Sequence, residues 1–228
     1  MRFQASCAAL AAALATLTTA GAASAQELDV AFNAAATSDY VFRGASQTNE
    51  NFALQGGVDA TYGGFYAGAW ASDVDFGDDT SAEIDTYGGY RAEVEGFAVD
   101  VGVVGYFYVD APSGVDYDYV EYKAAASRAV GPVTAGVAVY YSPDFFGVDE
   151  TATYLEANAA ITPIDKLTVS GAVGKQWLDV TGDYVTWNVG AAYAITDSLV
   201  FDVRYHDTDV DNAPLYDGRA VATLKILF

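Results

Sequence analysis

Cysteine is almost missing from this chain: the single one is Cys7, inside an apolar leader and too early for a lipoprotein cleavage site. Past that point the chain can build neither a disulfide framework nor a thiolate metal site. Histidine is as scarce, with His206 alone, which leaves little for general-base catalysis. Bases are few, since 10 Lys and Arg face 31 Asp and Glu for a net charge of −21. That balance argues against nucleic acid, whose phosphates need lysine and arginine, and against attraction to an anionic membrane surface. Long apolar runs are missing too. Beyond the leader no uncharged run reaches the eighteen or so residues of a membrane helix, and the longest, 129–143, is broken at Gly131-Pro132. A closed barrel can still cross a bilayer, because it pairs every backbone group without a helix. Disorder is excluded as well, because 52% hydrophobic and 14% aromatic residues are far too many for it.

The leader itself reads as a secretory signal. Met1 and Arg2 form a basic start, residues 5–20 are apolar and alanine-rich, and Ala23-Ser24-Ala25 supplies the small-x-small cleavage pattern. We expect a signal peptide over 1–25, cut after Ala25, and one barrel over 26–228.

In the rest of the chain, apolar residues recur at every second position in blocks of about ten residues. Phe97, Val99, Val101 and Val103 alternate with Asp100 and Gly102; Leu199, Phe201, Val203 and Tyr205 alternate with Asp202, Arg204 and His206. A helix needs spacings of three and four, so these are strands. Tight-turn chemistry falls at 62–64, 95–96, 131–132, 162–165 and 196–198. Longer, acidic connections fall between them at about 39–51, 77–81, 110–116, 143–150, 179–183 and 208–217. The fold expected is all-β: a transmembrane, antiparallel, up-and-down β-barrel of about twelve strands. These run over 28–38, 52–61, 65–75, 82–93, 97–109, 117–129, 133–142, 151–161, 167–178, 184–195, 199–207 and 218–228.

The last strand places Leu224, Ile226 and the terminal Phe228 on one face, a pattern that bacterial barrel-assembly machinery reads. Aromatics gather near strand ends. Tyr40, Phe42, 106–108, Tyr117, Tyr119, Tyr140, Tyr141, Trp177, Tyr184 and Trp187 lie at the long-loop end, and Phe65, Phe97, Phe201 and Phe228 at the other. Two membrane-interface girdles are expected from that. A charge facing lipid at mid-depth costs about 2–4 kcal/mol for lysine or arginine, so strand-borne charges define the lumen. The expected pore-lining acids are Asp29, Asp59, Glu83, Asp85, Glu93, Asp100, Glu121, Glu156 and Asp202; the bases are Arg91, Lys123, Arg204, Arg219 and Lys225. An open, narrow lumen lined this way leans toward cations; an interior filled by paired charges is the alternative. The strand from Phe65 is ambiguous, with Tyr66 and Trp70 against Ala67, Ala69 and Ala71.

Four function classes compete. A passive channel for small polar solutes needs only a polar lumen, and it calls for no catalytic group, cofactor or metal. An outer-membrane hydrolase would have to use His206 beside Asp202, Asp207 and Asp209. Calcium could be drawn to the alternating carboxylates of 206–212, which lack the sixth-position glycine and twelfth-position glutamate of a calcium loop. The channel is the expected function, in the outer membrane of a Gram-negative bacterium. Its expected partners are lipid, lipopolysaccharide, the assembly machinery and the solutes; a non-conducting structural or adhesive barrel is the alternative.

One stretch also carries a resemblance. Ser38-Asp39-Tyr40-Val41-Phe42-Arg43-Gly44-Ala45-Ser46-Gln47 resembles the TorF-type porin family, long grouped as conserved hypothetical proteins. The likeness continues through 55–57, 64–72, 74–76, 83–90 and 140–144, and is thinner in the second half. At 106–112 the chain departs, with Val109, Asp110 and Ala111 intervening between the tyrosines and Pro112. The resemblance implies an outer-membrane barrel with porin activity and no defined solute.

Overall fold

The computed structural model describes residues 27–228 apart from 147, 149, 180 and 181. Ala23 and Ala25 of the expected cleavage site therefore lie outside the described residues. Twelve strands close into one antiparallel barrel. They are β1 (Asp29–Thr37), β4 (Ala53–Tyr62), β5 (Phe65–Asp73), β6 (Ala82–Val94), β7 (Phe97–Val109), β8 (Tyr119–Val130), β9 (Val133–Ser142), β10 (Ala152–Ile164), β11 (Leu167–Leu178), β12 (Tyr184–Ala194), β13 (Leu199–Thr208) and β14 (Arg219–Leu227). Each pairs with its sequence neighbours, and β1 pairs with β14 to close the ring. Two short strands, β2 (Val41–Phe42) and β3 (Ala45–Ser46), form a separate hairpin inside the first long loop.

The barrel is polar within and apolar without. Its most completely buried large side chains are Gln176, Glu83, Glu121 and Asp85, whereas Phe65, Val101, Leu155, Val173, Val189 and Phe201 are exposed. Register carries this parity around the wall: Val101 lies opposite Tyr90, while Asp100 lies opposite Arg91 one residue away. Alternation along each strand then keeps ionised groups on the inner surface. The ambiguous strand resolves in the same way, with Tyr66 bonded to Asp100 across the interior and Trp70 buried.

Two expectations need correction. The turn expected at 162–165 sits two residues later, at Asp165 and Lys166, with Lys166 left-handed at φ 70°. Strand β10 runs on through Pro163, and its register with β11 shifts between Ile161 and Ile164. A proline can stay in a strand at such an irregularity, where the ladder asks no N–H of it. The aromatic girdles are thinner than expected at the loop end. Phe107, Tyr141, Trp177 and Trp187 face outward and are exposed, but Tyr40, Tyr106, Tyr119 and Tyr184 are buried. The reason is parity: Tyr106 shares the inward positions of β7 with Asp100 and Gly102, so it cannot reach lipid.

Candidate functional site

The first long loop does not stand clear of the barrel. From the end of β1 it turns into the lumen, and its hairpin meets the wall on all sides. Tyr40 packs edge-on against Trp70 of β5 and donates its hydroxyl to Glu83 Oε1 of β6 at 3.0 Å. Phe42 meets Tyr106 of β7. Arg43 reaches the far wall, β8 to β11, described below. Gly44, left-handed at φ 86°, lies so close to β12 and β13 that an added methyl would overlap Thr208 Cγ2 and come within 2.5 Å of Thr186 Oγ1. Asp39 accepts from Arg219 of β14 at 3.1 Å. Inward side chains at this level, Glu83, Asp85, Glu121 and Gln176, are 1–2% exposed. Of the two interiors open from the sequence, the filled one describes this level.

The loop holds itself together before it holds the wall. Asp39 Oδ1 accepts from the hydroxyls of Ser46 and Thr48 at 2.7 and 2.8 Å. Thr48 Oγ1 in turn accepts the Tyr40 N–H. These side chains satisfy loop backbone and carboxylate groups that enclosure would otherwise leave unpaired.

Arg43 is the centre of the arrangement. Its Nη1 and Nη2 each donate to a Glu121 oxygen at 2.7 Å, and Nη1 also donates to Gln176 Oε1 at 3.1 Å. The guanidinium lies over three rings, with its carbon 4.3 Å from the centroid of Tyr154, 4.7 Å from Phe42 and 5.0 Å from Tyr140. The paired side chains are 6% and 1% exposed. Such a buried pair forfeits hydration on both sides and regains it only through good geometry; losing one partner costs about 3–5 kcal/mol. The fork-to-fork geometry here is of the favourable kind.

The other inward charges form separate clusters. Asp100 accepts from Tyr66 at 2.7 Å, Lys123 at 2.9 Å and Arg91 at 3.2 Å. Asp59 accepts from Tyr87. Arg204 donates to Asn188, Ser170 and Asp202. Glu156 accepts from Tyr154 and Asn158. Lys225 lies on an inward position of β14, opposite Ala35 and Val200. Asp29 and Glu93 are exposed near the turn end of the barrel. Every strand-borne charge named from the sequence thus shares the inward parity. Sequence reasoning missed Arg43, because a basic residue in a polar loop carries no period to say which way it faces.

His206 takes an inward position opposite Asn188 and Arg219. The carboxylates following it are used in the local fold: Asp207 accepts from the Tyr205 hydroxyl and the Thr208 N–H, and Asp209 from the Val185 N–H. Among the described residues no group of three or more His, Cys, Asp or Glu side chains is placed to hold a metal ion.

A closed ring of twelve strands with an apolar exterior and an ionised interior defines the class of porin-like β-barrels. Within it, the chain belongs to the family described as "Bacterial protein of unknown function (Gcw_chp)", which matches residues 19–225. Solved structures share the architecture. The KdgM porin superposes with a TM-score of 0.60 at 10% identity, over 87% of this chain and 99% of that one. The NanC porin gives 0.57 at 10% identity, over 87% and 98%. An outer-membrane channel from Pseudomonas putida F1 gives 0.54 at 11%, over 90% and 96%. A further KdgM structure, at 0.57 and 9% identity over 87% and 97%, is a complex with disordered oligogalacturonate. Identities this low establish the shared fold alone. The sequence matches no curated protein.

Proposed function

We propose that the protein is an outer-membrane channel for passive diffusion of small polar solutes, leaning toward cations and shut in this state by its first loop. The carrying observation is the ionised interior wrapped in an apolar wall, with a self-bonded loop seated across it. A barrel that was only structural would gain nothing from so polar a core, which a packed apolar one could replace. The fold shared with KdgM and NanC supports the same reading.

In this arrangement residues 1–25 are the cleaved signal, the short turns and both ends of the barrel face the periplasm, and the long loops face outward. The exposed apolar wall meets lipid and lipopolysaccharide, and Leu224, Ile226 and Phe228 present the assembly signal. Pore lining falls to the inward charges: Asp29, Asp59, Glu83, Asp85, Arg91, Asp100, Glu121, Lys123, Glu156, Asp202, Arg204 and Lys225. Acids outnumber bases along this path, and a low-dielectric wall strengthens the bias. A polyuronate such as oligogalacturonate, anionic at each sugar, would be repelled, so the solute differs in charge from the one named for KdgM.

The test is conductance of refolded protein in a planar bilayer under a potassium chloride gradient, native chain against a variant with the loop displaced. A small current in the native protein, a larger one in the variant and a reversal potential favouring potassium are expected. Silence from both would identify a non-conducting barrel.

A further inference from the structure

The groups that hold Arg43 belong to the barrel wall, apart from Phe42, and they would remain when the loop leaves. Glu121, Gln176, Tyr140 and Tyr154 come from four consecutive strands, β8 to β11. Glu121 and Tyr154 are set independently of the loop. Glu121 Oε2 accepts a second bond from the Tyr106 hydroxyl at 3.0 Å. The Tyr154 hydroxyl is anchored on Glu156 at 3.2 Å. Its ring lies in space left by Gly174, where a Cβ would collide with the Tyr154 hydroxyl. Gln176 turns its carbonyl oxygen to the guanidinium and leaves its Nε2, buried, with no partner. An amide accepts that orientation where a cationic donor is the dominant neighbour.

We infer that this box is the channel's selectivity site for small organic cations bearing a guanidinium or primary ammonium, and that Arg43 occupies it as a tethered mimic of the solute. The inference rests on the channel reading above. The chemistry picks out this class of ligand. Two carboxylate oxygens and one amide oxygen, with the Tyr154 and Tyr140 rings 4.3 and 5.0 Å from the guanidinium carbon, match a planar cation that meets aromatic faces as it donates. A bare metal ion asks instead for six or more oxygens around it. An anionic or neutral solute leaves Glu121 unpaired in a buried place. Opening and recognition are then one event: a solute cation that takes the fork from Arg43 also frees the loop.

Chemical rescue tests the site without needing transport. Arg43→Ala, refolded in detergent as the full mature chain, is melted in low-millimolar guanidinium chloride and in equal sodium chloride. Guanidinium is expected to restore part of the lost melting temperature, saturably, where sodium does not. The double variant Arg43→Ala, Glu121→Gln is expected to show no such rise. Gly44→Ala gives a second route, since it displaces the loop while leaving every wall group of the box in place. In a planar bilayer, arginine or agmatine should reduce the potassium current of that variant in a saturable way, and glutamate should not. Rescue without any current would retain the cation site and end the channel reading. Current in either variant with neither rescue nor block would overturn the site and leave the channel standing.

Discussion

Gly44→Ala is the sharpest perturbation of the shut state, because it touches the loop at its closest approach to the wall. Two penalties act together. Gly44 sits at φ 86°, and a Cβ in the left-handed region costs about 1–2 kcal/mol. The added methyl also overlaps Thr208 Cγ2 and lies 2.5 Å from Thr186 Oγ1, and overpacking of that kind costs about 1–3 kcal/mol. Both fall on the docked loop alone, since a loop in water has room for the methyl. Summed, about 2–5 kcal/mol shifts the ratio of docked to undocked loop by roughly thirty- to several-thousand-fold. The assay pairs conductance with limited proteolysis between residues 39 and 51, on protein whose heat-dependent gel shift confirms an intact barrel. Faster cleavage and larger current should appear together. Native-like current and native-like resistance to protease would refute the idea that this loop is what closes the lumen.

Val103→Arg, at the middle of β7 with its side chain outward and 41% exposed, should destabilise the barrel in lipid by about 2–4 kcal/mol in urea unfolding. Val104→Thr, one residue away and facing inward, should cost far less. Phe228→Ala should lower the amount of barrel in outer-membrane fractions while leaving refolding in detergent unchanged; equal loss in both would point to packing rather than assembly. Between the outer loops, Asp78 is held below the ordinary carboxylate range by the Thr80 side chain and backbone, helped by the Tyr117 hydroxyl at 2.9 Å. A carboxyl depressed in the folded state stabilises above its unfolded value and loses that contribution as pH falls through the folded one. Proteolysis at 110–118 should therefore stay constant at neutral pH and quicken only in acid, and Asp78→Asn should abolish that dependence.

The wall of this barrel was legible from residue spacing. Period-two alternation is a property of the chain alone, so β7, β9 and β11 begin and end where the pattern does. The inward charges followed from the same parity together with the cost of placing them in lipid. Two things were not legible. Proximity to a strand end is no substitute for facing, so Tyr40, Tyr106, Tyr119 and Tyr184 read as girdle residues although they are interior. The fate of loop 39–51 was also out of reach, because its bonds run to residues far along the chain: Arg43 meets partners 78 and 133 positions away. A usable clue was present nonetheless. Inward parity already placed Tyr106, Tyr119, Glu121, Tyr140, Tyr154 and Gln176 at the loop end, a set that lacks a cation of its own.

The seam where β1 meets β14 shares its fastenings with the loop. Thr37 and Thr223 bridge it by their hydroxyls at 2.8 Å, and one turn of chain later Asp39 is clasped by Arg219, which also lies 3.6 Å from Glu50. A loop so rooted cannot be pulled outward without loading the pairing of the first barrel strand with the last. The cylinder is buttoned around its own plug, and the plug holds the buttons.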